Sequence, residues 1–292
     1  MQKVDAHVHI FAPLSQAFPR EVSPLAPAGR AATVEHLLRE MDAAGVERAV
    51  LIQMGGFQIA HHRYVAQAVR RWPDRLAAVG LVDVHDADSP ARLSKLYEAT
   101  GIAGIRLMGT LGDPGAARAE DLAACGLFQR ADELGLNVNL YCRSDQLPHI
   151  ERLVRAFPGV RVSLDHLGIC PSTSFVPDRW GRPRFDEEPI PPPTYPRVLD
   201  LARYPNVYVK VSGEYAFSRE AYPYRDLRPL VEQVYRAYGA GRMMWGTDFP
   251  WIGEEPGYRR QMALLDHHLP LLSAGEKAQI MGGNALEVWF EQ

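Results

Sequence analysis

Eight short apolar runs, rich in β-branched residues, recur along the chain, and most are followed by a stretch whose apolar positions repeat with helical period. They cover residues 4–10, 48–54, 76–82, 104–108, 137–142, 160–166, 207–212 and 242–246. The runs are continuous rather than alternating, as parallel strands buried on both faces require. Between them, Thr33 opens a helical stretch with Leu37, Leu38 and Met41 inside it, and Gly45 stops it. Residues 121–134 end in the same way at Gly135, and 227–238 at Gly239. Strand, helix, glycine and strand in repetition predict a distorted (β/α)8 TIM barrel, with 1–292 as a single domain. An open doubly wound sheet is the competing arrangement, but no Gly-rich phosphate turn follows the first run.

Two segments break the period. Residues 11–30 hold four prolines, and residues 171–196 include Pro189-Ile190-Pro191-Pro192-Pro193. Both follow the C-terminal end of a predicted strand, where a barrel carries its site-forming loops. The aromatic and charged residues of the second (Phe175, Trp180, Arg182, Arg184, Phe185) suit an ordered lid better than a linker.

Composition narrows the class. The chain is 47% hydrophobic and 23% charged, with a net charge of -3 and no basic block, so nucleic acid is not expected as a partner. Cys125, Cys142 and Cys170 lack CxxC spacing, which predicts neither a disulfide framework nor a zinc ribbon and fits a reducing cytoplasm. No apolar run reaches the roughly 20 residues of a membrane span, and the chain enters a strand directly, without a signal-peptide pattern. A soluble cytoplasmic protein acting on a small molecule is the expectation. Trp289-Phe290 near the end either caps the barrel or supports a homodimer.

Polar residues at strand ends converge on one mouth in such a barrel. His7 and His9, two apart on one strand, project from the same face. The later strands bring Gln53, Asp83, Arg106, Asn139 with Tyr141, Asp165 with His166, Lys210 with Ser212, and finally Asp248. Charged groups inside barrel strands are costly unless paired or functional, so this many at one end argues for a site.

Four of these segments resemble, in order, the motifs of the amidohydrolase superfamily: His7-Val8-His9, Asp165-His166-Leu167-Gly168, Lys210-Val211-Ser212-Gly213 and Gly246-Thr247-Asp248-Phe249-Pro250. Within it the chain is similar to the amidohydrolase-2 family, and most to its 2-pyrone-4,6-dicarboxylate lactonase-like branch. The resemblance implies a barrel with its site at the C-terminal strand ends. It also carries two departures. Metal-dependent members place a histidine on strand five, where this chain has Asn139-Leu140-Tyr141, and binuclear members use a lysine on strand four, where Gly104-Ile105-Arg106-Leu107-Met108 has none. The resemblance therefore leaves two cofactor states: none required, or one divalent, zinc-like metal on His7, His9 and Asp248, with His166 as a further ligand.

The expected activity is hydrolysis of a carboxylate-bearing lactone. Asp248 activates water, its pKa raised by a dry barrel mouth, while His7, His9 and His166 (or the metal) polarise the carbonyl. Arg106 suits a substrate carboxylate, or else a structural pair with Asp83 or Asp165. Tyr141, Gln53, Lys210 and Ser212 complete the expected substrate-binding set, with Lys210 alternatively paired to a carboxylate. Trp180, Phe249 and Trp251 suggest an apolar or planar substrate body. The alternative activity is metal-dependent decarboxylation of a muconate-like or benzoate-like acid. His36, His61, His62, His149, His267 and His268 are expected at solvated positions.

Overall fold

All eight apolar runs form strands, and each pairs in parallel with the next. The computed structural model describes residues 2–291 apart from 170, 172–173 and 187–188. The strands are β1 (Val4–Val8), β2 (Arg48–Ile52), β3 (Leu76–Leu81), β4 (Gly104–Gly109), β5 (Asn137–Cys142), β6 (Val162–Leu164), β7 (Val207–Val211) and β8 (Met243–Trp245). The sheet closes where the segment after β8 returns to β1. There Asp248 N–H donates to the His7 carbonyl at 2.8 Å, and His9 N–H to the Phe249 carbonyl at 2.7 Å. This is the (β/α)8 barrel expected.

Six of the eight observed strands are shorter than the apolar runs at their C-terminal ends, whereas β4 extends to Gly109 and β5 ends at Cys142 as its run does. β1 stops at Val8, β6 at Leu164 and β8 at Trp245. In each case the chain leaves the ladder shortly before polar residues of the barrel mouth, which are His9, then Asp165 with His166, then Asp248. The helices follow the sequence closely. The helix Val34–Ala44 has Thr33 Oγ1 accepting from His36 N–H at 3.3 Å and ends at Gly45 in the left-handed region, φ 68°. Its buried Leu37, Leu38 and Met41 each contribute about 1.5–3 kcal/mol by leaving water. The helix expected from 121 begins instead at Cys125, after one 3-10 turn at Ala119–Asp121.

The barrel interior is apolar at its lower end and polar at its upper end. Val4, Ala6, Val50, Ile52, Val79 and Met244 pack below, and Trp289 of the C-terminal helix Asn284–Trp289 plugs that end. Above them stand Lys210, Asn139, Asp165 and His7, all buried.

Both Pro-rich segments fold over the upper face. Arg20 holds the first, donating to the carbonyls of Ala26, Pro27 and Arg30 at 2.6, 2.8 and 2.9 Å. The second turns through a short hairpin, Val176–Pro177 against Pro183–Arg184, anchored by buried Arg182 on Asp178 at 2.7 Å. Arg30 ties the two together: Nη1 donates to the Gly181 carbonyl at 3.1 Å and the guanidinium lies 4.6 Å over the Trp251 ring. Cys170 and positions 172–173 and 187–188 of this expected lid lie outside the described residues.

Three histidines expected in solvent are buried instead: His62, His149 and His268. His62 is a structural group, with Nε2 accepting from Leu81 N–H at 2.9 Å and Nδ1 facing the Gln58 carbonyl at 3.0 Å. Among the described residues no helix is long and apolar enough to cross a membrane.

Candidate active site

The backbone is forced at the places where the site is built. His166 and Leu167 take φ of 52° and 60°, and Asp248 takes 62°, values that cost a non-glycine residue on the order of 1–2 kcal/mol. The barrel frame holds them there. Gly213 makes room at the end of β7, since a Cβ on it would lie 2.5 Å from His166 Nδ1. Gly246 does the same for β1, where a Cβ would lie 2.9 Å from that of His7.

Two buried carboxylates organise the upper interior. Asp165 is saturated. Its Oδ1 faces His7 Nδ1 at 3.0 Å and Lys210 Nζ at 3.3 Å, and its Oδ2 accepts from Arg106 Nε and Nη2, both at 2.9 Å, and from Asn139 Nδ2 at 2.7 Å. Burial alone would raise this carboxyl; His7, Lys210 and Arg106 reverse that and hold it well below the usual carboxylate range. Burial in turn brings Lys210 down to about 8, against the pull of Asp165.

Asp248 is different. Oδ2 accepts from the Tyr215 hydroxyl at 2.5 Å, while Oδ1 is buried and accepts no well-directed hydrogen bond from any described residue. Oδ1 faces His9 Nε2 at 3.3 Å and His7 Nε2 at 3.5 Å, and those two nitrogens are 3.2 Å apart. The other nitrogen of each ring is committed, His7 Nδ1 to Asp165 and His9 Nδ1 to the Ile52 carbonyl at 2.8 Å. Burial pushes the His7 pKa well down, so its ring is neutral and its Nε2 carries a lone pair. Three acceptor atoms thus meet around one point, which calls for a positive centre, either a proton on His9 Nε2 or a metal ion.

The residues fit a metal. A tetrahedral ion with ligands at about 2.0–2.1 Å has ligand–ligand edges of about 3.3–3.4 Å, close to the three edges seen here. The carboxylate behind His7 and the carbonyl behind His9 are the outer partners that orient metal-binding imidazoles. His166 is not part of this triangle, its Nδ1 lying 3.0 Å from Ser212 Oγ. Its ring is 4.7 Å from that of His7, and with His7 and Asp165 it forms a second group whose ligand atoms lie close enough to hold a metal.

Above the triangle lies a cavity of about 140 Å³. Of the expected residues, His9, His166, Asp248, Arg106, Tyr141 and Gln53 line it, as does Trp251. His7 lies one layer below. Lys210 and Ser212, expected to bind substrate, do not line the cavity: both are fully buried behind it, on Asn139 with Asp165 and on His166 respectively. Gln53 spends its amide on the carbonyls of Gly55 and His61 at 3.1 Å each. Arg106 pairs with Asp165 rather than Asp83, which caps His85 N–H in a turn. Phe249 is buried against Tyr258 and Trp180 is sandwiched between Arg179 and Arg182, so neither reaches the cavity.

The Asp248 carboxyl also departs from expectation. Burial raises it, but His166, His9 and His7 outweigh burial and hold it below the usual carboxylate range. Two participants were missed in the sequence: Tyr215, whose hydroxyl fixes Asp248 and which left no signal, and Asp5, whose charge inside the first apolar run was one. Asp5 accepts from Thr247 N–H at 2.9 Å and the Tyr258 hydroxyl at 2.7 Å, tying β8 to β1 below the site.

Comparison with known proteins places this geometry in context. The profile of the amidohydrolase family matches residues 4–290. An L-fucono-1,5-lactonase of Burkholderia ambifaria is 28% identical over 83% of this chain and 79% of its own length. A 4-sulfomuconolactone hydrolase of Hydrogenophaga intermedia is 25% identical over 85% of this chain and 75% of its own. Among solved structures, an amidohydrolase from Burkholderia multivorans with bound zinc superposes with a TM-score of 0.74 at 19% identity, covering 99% of both chains.

Proposed function

The chain belongs to the amidohydrolase family, and on that premise we propose that it is a lactonase, opening the ring of a small lactone with water. The observation that carries the reading is the bare Oδ1 of Asp248, set with two imidazole nitrogens at the floor of a cavity. Its lactone-hydrolysing relatives support the choice of substrate class.

In this reading the oxygen of a water molecule forms a bond to the lactone carbonyl carbon as Asp248 Oδ1 takes its proton. The ring carbon–oxygen bond then breaks, and the ring oxygen recovers that proton, giving a hydroxy acid. Tyr215 holds Oδ2 so that Oδ1 keeps its aim. His166, its Nδ1 anchored on Ser212, offers Nε2 to the carbonyl oxygen as negative charge develops there, an effect of about 10²–10³ in rate for one such donor. Arg106 Nη1, without a partner among the described residues, is directed to a substrate carboxylate.

His7, His9 and Asp248 are the residues that would hold one divalent metal ion. Bound there, it would supply Lewis-acid polarisation and a more acidic water, and Asp248 Oδ1 would then serve as its ligand in place of acting as the base. The decarboxylase alternative is less favoured, because strand five offers Asn139, committed to Asp165 and Lys210, in place of a ligand histidine.

The test is proton release from lactones at neutral pH by the wild type and Asp248→Asn. The wild type is expected to release one proton per lactone opened, and the variant to lose at least about 10³-fold in kcat with an unchanged melting temperature. A variant active within tenfold of wild type overturns the assignment.

A further inference from the structure

We infer that the substrate is a largely apolar lactone, aryl-fused or alkyl-substituted, carrying at most one carboxylate, rather than a polyhydroxylated sugar lactone or a dicarboxylate. This rests on the lactonase reading and concerns the ligand of the same cavity.

The cavity is sharply two-sided. Its polar lining includes His9, Gln53, Arg106, Tyr141, His166 and Asp248, and much of that hydrogen-bonding capacity is already used. Gln53 has spent its amide on two carbonyls, His166 its Nδ1 on Ser212, and Arg106 its Nε and Nη2 on Asp165. Besides Tyr141, which also lines the cavity, the groups that face a ligand are Arg106 Nη1, His166 Nε2, Gln53 Oε1 and Asp248 Oδ1, enough for one reacting ester and one anionic group beside it.

The rest of the wall is hydrocarbon and ring faces: Leu25, Met54, Phe175, Phe185, Phe217 and Trp251. Phe185 and Phe217, both in this lining, stack on one another at 5.2 Å with 9° between their planes, which makes that side of the wall a packed aromatic pair. A hydroxyl brought against that wall loses its water without gaining a partner, which costs it free energy it does not recover.

The charge count points the same way. Arg106 is the one cation among the described residues lining the cavity. The lid arginines nearby are occupied elsewhere: Arg182 on Asp178, Arg184 on Asp186 and the Ser218 carbonyl, Arg30 on the Leu25 and Gly181 carbonyls. A second carboxylate would enter the cavity without a counter-charge.

The experiment compares kcat/KM of the full-length protein, assayed as isolated and again with added zinc, on a dihydrocoumarin carrying one carboxylate, on glucono-1,5-lactone and on 2-pyrone-4,6-dicarboxylate. The carboxylated dihydrocoumarin is expected to exceed each of the others at least about a hundredfold, the scale on which an apolar pocket rejects even one hydroxyl. The variant Phe175→Ser, on a half-exposed lid position, is expected to narrow the gap over the sugar lactone at least threefold, with the melting temperature held. Turnover of the sugar lactone or the dicarboxylate at an equal or higher rate overturns this inference while leaving the lactonase reading intact. Turnover of none of the three contradicts the lactonase reading itself. If Phe175→Ser changes nothing although the preference holds, the apolar wall is not its cause and the inference fails in that form.

Discussion

Asp165 and Asp248 both sit at the upper end of the barrel, both deeply buried, yet one is saturated and the other is left open. Asp165 meets His7, Lys210, Arg106 and Asn139 with both oxygens. Asp248 spends Oδ2 on Tyr215 and leaves Oδ1 facing two imidazole nitrogens. The contrast separates two uses of a buried charge. A carboxylate whose lone pairs are all taken can only hold its partners in place, whereas one with a bare oxygen at the floor of a cavity is poised to accept a proton or a cation. The fold spends backbone strain on the second, at φ 62° for Asp248.

The largest effect expected outside the reaction itself comes from breaking the saturated cluster. Asp165→Asn leaves Arg106 and Lys210 buried without their counter-charge, and should destabilise the protein by about 3–5 kcal/mol. Urea unfolding reads this directly; a loss below about 1 kcal/mol would show that the cluster is not structural. Activity should fall as well, because His7 and Arg106 lose their anchor.

A third buried carboxyl sharpens the comparison. Glu214 is raised from 4.5 to about 7 by burial, the carboxylate of Asp248 adding to the effect, and Gln261 beside it has Oε1 without a partner among the described residues. A neutral Glu214 is therefore preferred when folded. Because the folded value lies above the unfolded one, its stabilisation is complete below pH 4.5 and is lost as pH rises through 7. Glu214→Gln removes that loss and should be more stable than wild type at pH 8 by about 3 kcal/mol, with little difference at pH 4.5. Equal stability at both pH values would contradict the assignment.

The smallest effect concerns the hydroxyl that steadies the open carboxylate. Tyr215→Phe should lower kcat about tenfold, equivalent to about 1.4 kcal/mol, with KM and the melting temperature nearly unchanged. An unaltered kcat would remove Tyr215 from the positioning of Asp248.

Much of this arrangement was legible in the residues themselves. The strand runs were visible because parallel strands buried on both faces need continuous apolar sequence, and the helix stops because Gly45, Gly135 and Gly239 take positive φ. His7, His9, Asp165, His166 and Asp248 were legible because charged or titratable groups at successive strand ends have few structural excuses. Which groups face the cavity was not legible. Lys210 and Ser212 occupy strand ends like the others but point behind the floor, a distinction that depends on barrel stagger. The burial of His62 left a trace that was readable, since His62, Val65, Ala66 and Val69 share one helical face. Tyr215 left none: it reaches Asp248 from a four-residue helix after β7, by tertiary placement alone.

The bare oxygen and its two facing imidazoles are the centre of the account, and calorimetric titration of zinc into chelator-treated protein tests them most directly. One equivalent should bind the wild type, and Asp248→Asn should bind at least tenfold more weakly, while Asp165 and its partners keep both proteins folded. Absence of zinc binding, or equal affinity in the two proteins, would contradict the claim that these three atoms form a metal-binding centre.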